Sequence, residues 1–328
     1  MGTPIIKHGK PLPRHILDRD IRWRLDTAGK LKEKIAGAKV IGRLTECPVC
    51  DSPDRRHMVT AFGFGFDECL GCRHLYCTAV FSPETFEEIY SHYVFADPDP
   101  DSFAPRVENV SAPKVAFVKS VIGKASGKWV DVGCGFGDLL YAARAEGWDI
   151  LGLDSSSRAV EVCSKMGIPV ERTFIECESV PKHFENASVV SLINVMEHLP
   201  DPLPVFSNLV AALPTGAHVA IEVPRSPSMT VYSIMSHPQL AARHLTPPYH
   251  LRLYSDASMR LTLERCGLKL AGAWFFGQDY YELLSTMAHH GSLNVGVWPE
   301  IIDSANDVQL AMDCGGLSDT MLVVAVKG

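Results

Sequence analysis

Trp129-Val130-Asp131-Val132-Gly133-Cys134-Gly135-Phe136-Gly137-Asp138 is the stretch that decides the fold. Four residues of alternating apolar character read as a strand, three spaced glycines as a tight loop, and Asp138 onward as a helix. Glycines there let a ligand approach the backbone without Cβ obstruction, and the helix amino terminus offers free amides. A second strand ends at Gly152-Leu153-Asp154-Ser155, where a carboxylate can accept both hydroxyls of a ribose. Glycine loop and later acid are shared with dinucleotide-binding folds, so alone they are weak. Two details separate the readings. A dinucleotide fingerprint starting at Gly133 wants its third glycine at position 138, where aspartate stands. Asp131, just before the loop, would repel a pyrophosphate but suits a ligand bearing an ammonium and a sulfonium.

Outward from this loop, strands alternate with helices. Expected strands are 129–132, 149–153, 170–174, 188–193, 217–223, 268–276 and 321–326; expected helices are 138–146, 156–166, 202–213 and 255–266. Such alternation predicts an α/β fold, a seven-stranded mostly parallel sheet with helices on both faces. Ligands of such sheets sit outside the carboxyl ends of the strands.

Before this region the chain reads differently. Residues 1–46 form a basic, helical segment with eleven Lys or Arg against five acids, about +6, so the rest carries about −13 of the net −7. Residues 47–80 hold Cys47, Cys50, Cys69 and Cys72, two Cys-x-x-Cys pairs eighteen residues apart. That spacing predicts a zinc ribbon whose four thiolates close a tetrahedral, structural site. Residues 81–110 read as a linking helical region, with Ser82 capping a helix that starts at Pro83. The Pro-rich run 97–105 marks the seam to the larger domain, 111–328. Cys77, Cys134, Cys163, Cys177, Cys266 and Cys314 are expected to be small core or loop residues. The apolar and charged fractions, 46% and 21%, are those of a globular protein, and the acidic body disfavours nucleic acid as a partner. No apolar run reaches membrane-spanning length and the first residues lack a secretory core, so a cytoplasmic protein is expected. The oligomeric state stays open.

Together, Asp131 to Gly137, Asp154 and Asn194-Val195-Met196-Glu197-His198-Leu199-Pro200-Asp201-Pro202 resemble the class I S-adenosylmethionine-dependent methyltransferases. The resemblance implies that Asp131, Gly133, Cys134, Gly135 and Gly137 lie against the methionine part of S-adenosylmethionine. Asp154 and Ser155 would hold the ribose, Ile175 and Glu176 flank the adenine, and Asn194 line the pocket floor. A cysteine module, linking helix and this core together also resemble the nucleotide-sugar C-methyltransferases and their relatives. There a tyrosine of the linking region and a histidine after the fifth strand serve the active site. Tyr93 and His250 occupy those places, while Tyr249 and Pro247 stand where that group carries glutamate and tyrosine. The resemblance implies a small polar methyl acceptor, with His250 as base and His198 or Tyr93 as the other candidates. Which acceptor atom is methylated is left open. Glu197 and His198 are expected mainly to fix their loop. Arg225 and Arg252 are candidate anchors for an anionic group, with surface charge as the alternative. The rivals from other classes are a zinc-ribbon RNA methyltransferase, favoured by the basic start, and a non-catalytic partner that retains the fold.

Overall fold

The computed structural model describes residues 3–17, 23–91, 100–124, 126–175, 180–241, 243–291 and 301–328. Its first strands are β1 (Ile5–His8), β2 (Val40–Arg43), β3 (Arg55–Ala61), β4 (Phe64–Cys69), β5 (Leu75–Cys77) and β6 (Ala79–Phe81). Then come β7 (Lys128–Val132), β8 (Asp149–Asp154), β9 (Val170–Arg172), β10 (Ala187–Ile193) and β11 (His218–Pro224). The last are β12 (Arg252–Leu253), β13 (Leu268–Phe276) and β14 (Thr320–Lys327).

The main sheet has the order β1-β13-β14-β11-β10-β7-β8-β9. β14 runs antiparallel to both neighbours and every other pairing is parallel. The expected α/β class and all seven expected strands are present. The sheet has an eighth: Ile5–His8, read from sequence only as an extended start, pairs with Gly272–Phe275. Its four residues are exposed, so no burial pattern advertises them as a strand. Central strands carry continuous apolar runs, such as Val189, Val190, Ala220 and Ile221, because helices cover both faces. Ser156 and Ser255 cap the helices Ser157–Lys165 and Asp256–Arg265, accepting from Ala159 N and Ser258 N. From β7 the chain leads to one side, and from β10 to the other. That reversal puts the switch point of the sheet, where such folds take their ligands, at the carboxyl ends of β7 and β10.

The cysteine-bearing strands form a separate sheet of order β12-β5-β4-β3. Its edge strand β12 comes from far along the chain, directly after His250. Arg252 pairs with Tyr76 and Leu253 with Leu75, and Cys77 N donates to Leu251 O at 2.8 Å. Ser255 Oγ donates to Cys72 O at 2.6 Å, and His74 packs edge-on against Tyr254. Cys47, Val49, Cys69, Cys72 and Tyr76 join the same apolar cluster as Val130, Val190 and Tyr254. On the ribbon's other side Phe66, Leu75 and Phe81 pack with Val231, Ile234, Leu251 and Leu253. So small a unit cannot bury enough apolar surface alone, and here it borrows the larger domain's. Among the described residues no helix is long and apolar enough to cross a membrane.

Arg225 and Arg252 are neither anchors nor surface charges. Arg225, 4% exposed, makes a two-pronged bond to Asp256 at 2.7 and 2.9 Å, and its Nη1 donates to the carbonyls of Pro227, Gly316 and Ser318. Arg252 is equally buried and donates to the carbonyls of Leu199 and Pro200. Each guanidinium satisfies loop carbonyls that no strand or helix can reach. Replacing Arg225 by Met should therefore lower the unfolding free energy by about 1–3 kcal/mol, the cost of leaving buried acceptors unpaired. Urea denaturation measures it.

Candidate active site

The glycine loop joins β7 to the helix Asp138–Ala145. Gly133, Gly135 and Gly137 all have positive φ (72°, 52° and 78°). A Cβ on Gly133 would lie 2.7 Å from Val195 and one on Gly137 2.8 Å from Ile168, so conformation and space both demand glycine. Gly135 N donates to Asp154 Oδ2 and Ser156 N to Asp154 Oδ1, each at 2.8 Å. Each carboxylate oxygen keeps a further lone pair with which to receive a diol. Ser155 is half-buried beside it. Asp131 lies beneath the loop, buried, and accepts from Ser191 Oγ at 2.5 Å; burial pushes its carboxyl up to about 7. Burial also raises Asp154. A cationic ligand would relieve both. Cys134 is buried, and a Cβ on Gly152 would meet its Sγ at 2.6 Å. Contact with Cys163 and burial hold its thiol well above the usual range, so it packs the loop and is no nucleophile. Ile175 is half-buried against the core. Glu176 and Tyr93 lie outside the described residues.

Asn194, after β10, is exposed and sits in the left-handed region at φ 54°. Strain of this kind persists where surroundings over-determine it. Here the holder is Glu222: its carbonyl accepts from Asn194 N at 2.9 Å and its Oε1 from Asn194 Nδ2 at 3.3 Å. The same oxygen accepts from Lys114 Nζ at 2.8 Å, a pair buried on both sides.

Next to Asn194 the Glu197-His198 turn meets the loop that follows β11. Leu251 N donates to Glu197 O, and His198 Nδ1 to Tyr249 O at 2.6 Å. The rings of His198 and His250 meet edge-on at 4.8 Å, and His244 stacks on His250 at 6.0 Å. Burial lowers the pKa of His198, and burial with the neighbouring histidines lowers that of His250 further. Both shifts favour the neutral imidazole. Glu197 is fully buried, and burial raises its carboxyl well above the carboxylate range. His244, which the sequence did not single out, also has a left-handed backbone (φ 63°), and its Nε2 lies 3.3 Å from Asp319 Oδ2. Burial would raise Asp319, but Arg243 and His244 outweigh it and hold the group ionised. Lys114, Glu222, His244 and Asp319 went unnoticed because no motif links positions so far apart. The signal within reach was His244, six residues before His250.

In the expected zinc ribbon, Cys47 Sγ lies 3.6 Å from Cys72 Sγ and Cys50 Sγ 3.4 Å from Cys69 Sγ, with all four sulfurs within 4.8 Å of one another. Ligands about 2.3 Å from a tetrahedral zinc stand about 3.8 Å apart, so the donor set fits.

With this geometry in hand, comparison with known proteins is direct. The sequence profile of the family described as "Methyltransferase domain" matches residues 106–271, half of the chain. The chain belongs to the methyltransferase-domain family. It is 27% identical over 162 residues to a ubiquinone biosynthesis O-methyltransferase of Nitrosomonas europaea, covering 46% of this chain and 66% of that protein. It is 34% identical over 115 residues to its namesake from Methylococcus capsulatus, covering 33% and 47%. The matches thus span less than two thirds of these curated relatives. Among solved structures, an S-adenosylmethionine dependent methyltransferase from Mesorhizobium loti aligns with a TM-score of 0.46 at 17% identity, over 67% of this chain and all of that one. The geranyl diphosphate C-methyltransferase of Streptomyces coelicolor aligns at 0.44 and 13%, over 75% and 99%.

Asp154→Ala should weaken S-adenosylhomocysteine binding by roughly 1.5–3 kcal/mol, the scale for losing hydrogen bonds to a charged group. Isothermal calorimetry reads it directly, and tight binding of NAD in place of the homocysteine compound would overturn the assignment of the loop.

Proposed function

We propose that the chain transfers the methyl group of S-adenosylmethionine to a small polar acceptor held where the Glu197-His198 turn meets His250. The supporting observation is the switch point at β7 and β10, where the positive-φ glycine loop after Asp131 is bonded to Asp154 and Asn194 follows β10. Two carboxylates, both strained by burial, suit a ligand with an ammonium and a sulfonium and disfavour a pyrophosphate. The bound cofactor would supply an electrophilic methyl carbon. The chain's part is to position the acceptor and help remove its proton. His250 is the residue on which that proton's removal depends, since its ring lies beside that of His198 where the Glu197-His198 turn meets the loop after β11. The relatives bear the name O-methyltransferase, which favours an oxygen acceptor here. The nucleotide-sugar C-methyltransferase resemblance keeps a sugar among the candidate acceptors. The acidic body speaks against nucleic acid.

We further propose that Cys47, Cys50, Cys69 and Cys72 hold a zinc ion with a structural task. Four sulfur ligands leave no open position for a substrate, while β12, which begins two residues after His250, pairs with β5 of this module.

Two measurements address these assignments. Elemental analysis should show the Cys69→Ser/Cys72→Ser variant holding about one zinc per chain less than the native protein; equal content would remove these ligands. His250→Ala should lower turnover about 10²–10⁴-fold with cofactor affinity nearly unchanged. Near-normal turnover would return His250 to a purely structural part.

A further inference from the structure

Lys10 carries a charge that the fold leaves unanswered. It follows β1, where Gly9 N donates to Phe275 O at 2.9 Å and Trp274 Nε1 donates to Gly9 O at 2.8 Å. Those bonds hold the chain at the carboxyl end of β13, and Lys10 Nζ stands 5.0 Å from the centre of the Phe276 ring, the last of that strand. The side chain is half-buried, and among the described residues its ammonium makes no ion pair or hydrogen bond. The face of a ring is a weak substitute for a counter-ion. Lys114, Arg106 and Arg243 reach it with charge of its own sign. Burial and these cations push its pKa down to about 8, with Glu222 pulling the other way. The other three cations are each answered: Lys114 by Glu222 at 2.8 Å, Arg106 by Asp138 at 3.2 Å and Arg243 by Asp319 at 3.1 Å. An anion brought to Lys10 would relieve the imbalance.

A second group there is unsatisfied in the complementary sense. Glu222 is 4% exposed, and its Oε1 accepts from both Lys114 and Asn194, while Oε2 is buried without a partner among the described residues. A buried acceptor of this kind is costly until a donor reaches it. Lys10 feels the charge of Glu222 but makes no ion pair with it. A bare anion would answer Lys10 and be repelled by Glu222. A molecule that ends in an anion and also bears a hydroxyl answers both groups. Arg225 and Arg252, the sequence's candidates for anchoring an anion, are engaged with Asp256 and loop carbonyls, so the task falls to the basic start of the chain.

We propose that Lys10 and Glu222 recognise the methyl acceptor and that it is a hydroxylated anion, its carboxylate or phosphate pairing with the Lys10 ammonium and a hydroxyl donating to Glu222 Oε2. The proposal rests on the reading of the switch point at β7 and β10 as the place of methyl transfer, for Glu222 is the residue that holds Asn194 there. It narrows the small polar acceptor to one chemical class.

The test is calorimetry on the full chain with two hydroxylated anions, glycerol 3-phosphate and glycerate, each compared with the anion that lacks hydroxyls, inorganic phosphate or acetate. S-adenosylhomocysteine binding is measured in parallel on every variant. The expected result is one site per chain that takes glycerol 3-phosphate or glycerate about tenfold more tightly than its bare counterpart; which of the two binds says whether the acceptor ends in phosphate or carboxylate. Lys10→Gln should weaken that binding by at least about tenfold and Lys10→Arg should keep most of it, both with unchanged S-adenosylhomocysteine affinity. Lys7→Gln removes an exposed cation three residues away, over the Trp274 ring, and should change nothing. Protein that binds S-adenosylhomocysteine but neither hydroxylated anion would overturn the acceptor class and leave the methyltransferase reading standing. Equal losses in Lys7→Gln and Lys10→Gln would overturn it too, as a general effect of charge, and equal affinity for the bare anions would remove Glu222 from it. Anion binding that depends on Lys10 in a protein without any S-adenosylhomocysteine binding would keep the anion site and sink the methyl-transfer reading instead.

Discussion

The arrangement hangs on one short piece of backbone, Tyr249 to Leu253. Leu251 gives its N–H to Glu197 and its carbonyl to Cys77, Tyr249 gives its carbonyl to His198, and Arg252 and Leu253 add a strand to the cysteine-bearing sheet. Every polar group of a buried backbone needs a partner. Here those partners come from the ribbon on one side and the methyltransferase turn on the other. His250 stands at the junction, so its position is determined by both.

This explains why a four-cysteine module sits against a methyltransferase sheet. The four clustered cysteines pack with the same apolar cluster as β7 and β10, and Ser255 ties the Cys72 carbonyl to the cap of the following helix. Loss of a structural metal from such a module would loosen β12 and the loop before it. Arg252, buried beneath, binds the carbonyls of Leu199 and Pro200 and so braces the Glu197-His198 turn from the same strand.

On the cofactor side the constraint is different. Asp131 and Asp154 are both raised by burial, and Asn194 is held in a left-handed backbone by Glu222. These are costs that a preorganised site carries before any ligand arrives. The buried Lys114–Glu222 pair shares them: it fixes the Glu222 carboxylate so that one oxygen serves both Lys114 and Asn194.

How much of this was legible in the residues follows from the range of the interactions. Apolar periodicity, the glycines of 133–137 and the paired cysteines are local signals, for propensity and turn chemistry act over a few residues. They therefore determined the α/β class, the seven strands, the glycine loop and the clustering of the four cysteines. The strand Ile5–His8 escaped because an exposed edge strand is selected by its neighbour β13 and not by its own pattern. Arg225 and Arg252 were misread because burial of a guanidinium depends on loop carbonyls brought up from elsewhere. Only the tertiary structure set Glu197, His198 and His250 together and stacked His244 on His250. Their proximity is decided by the crossing of two loops on the carboxyl side of the sheet, a distance in space that spacing along the chain does not encode.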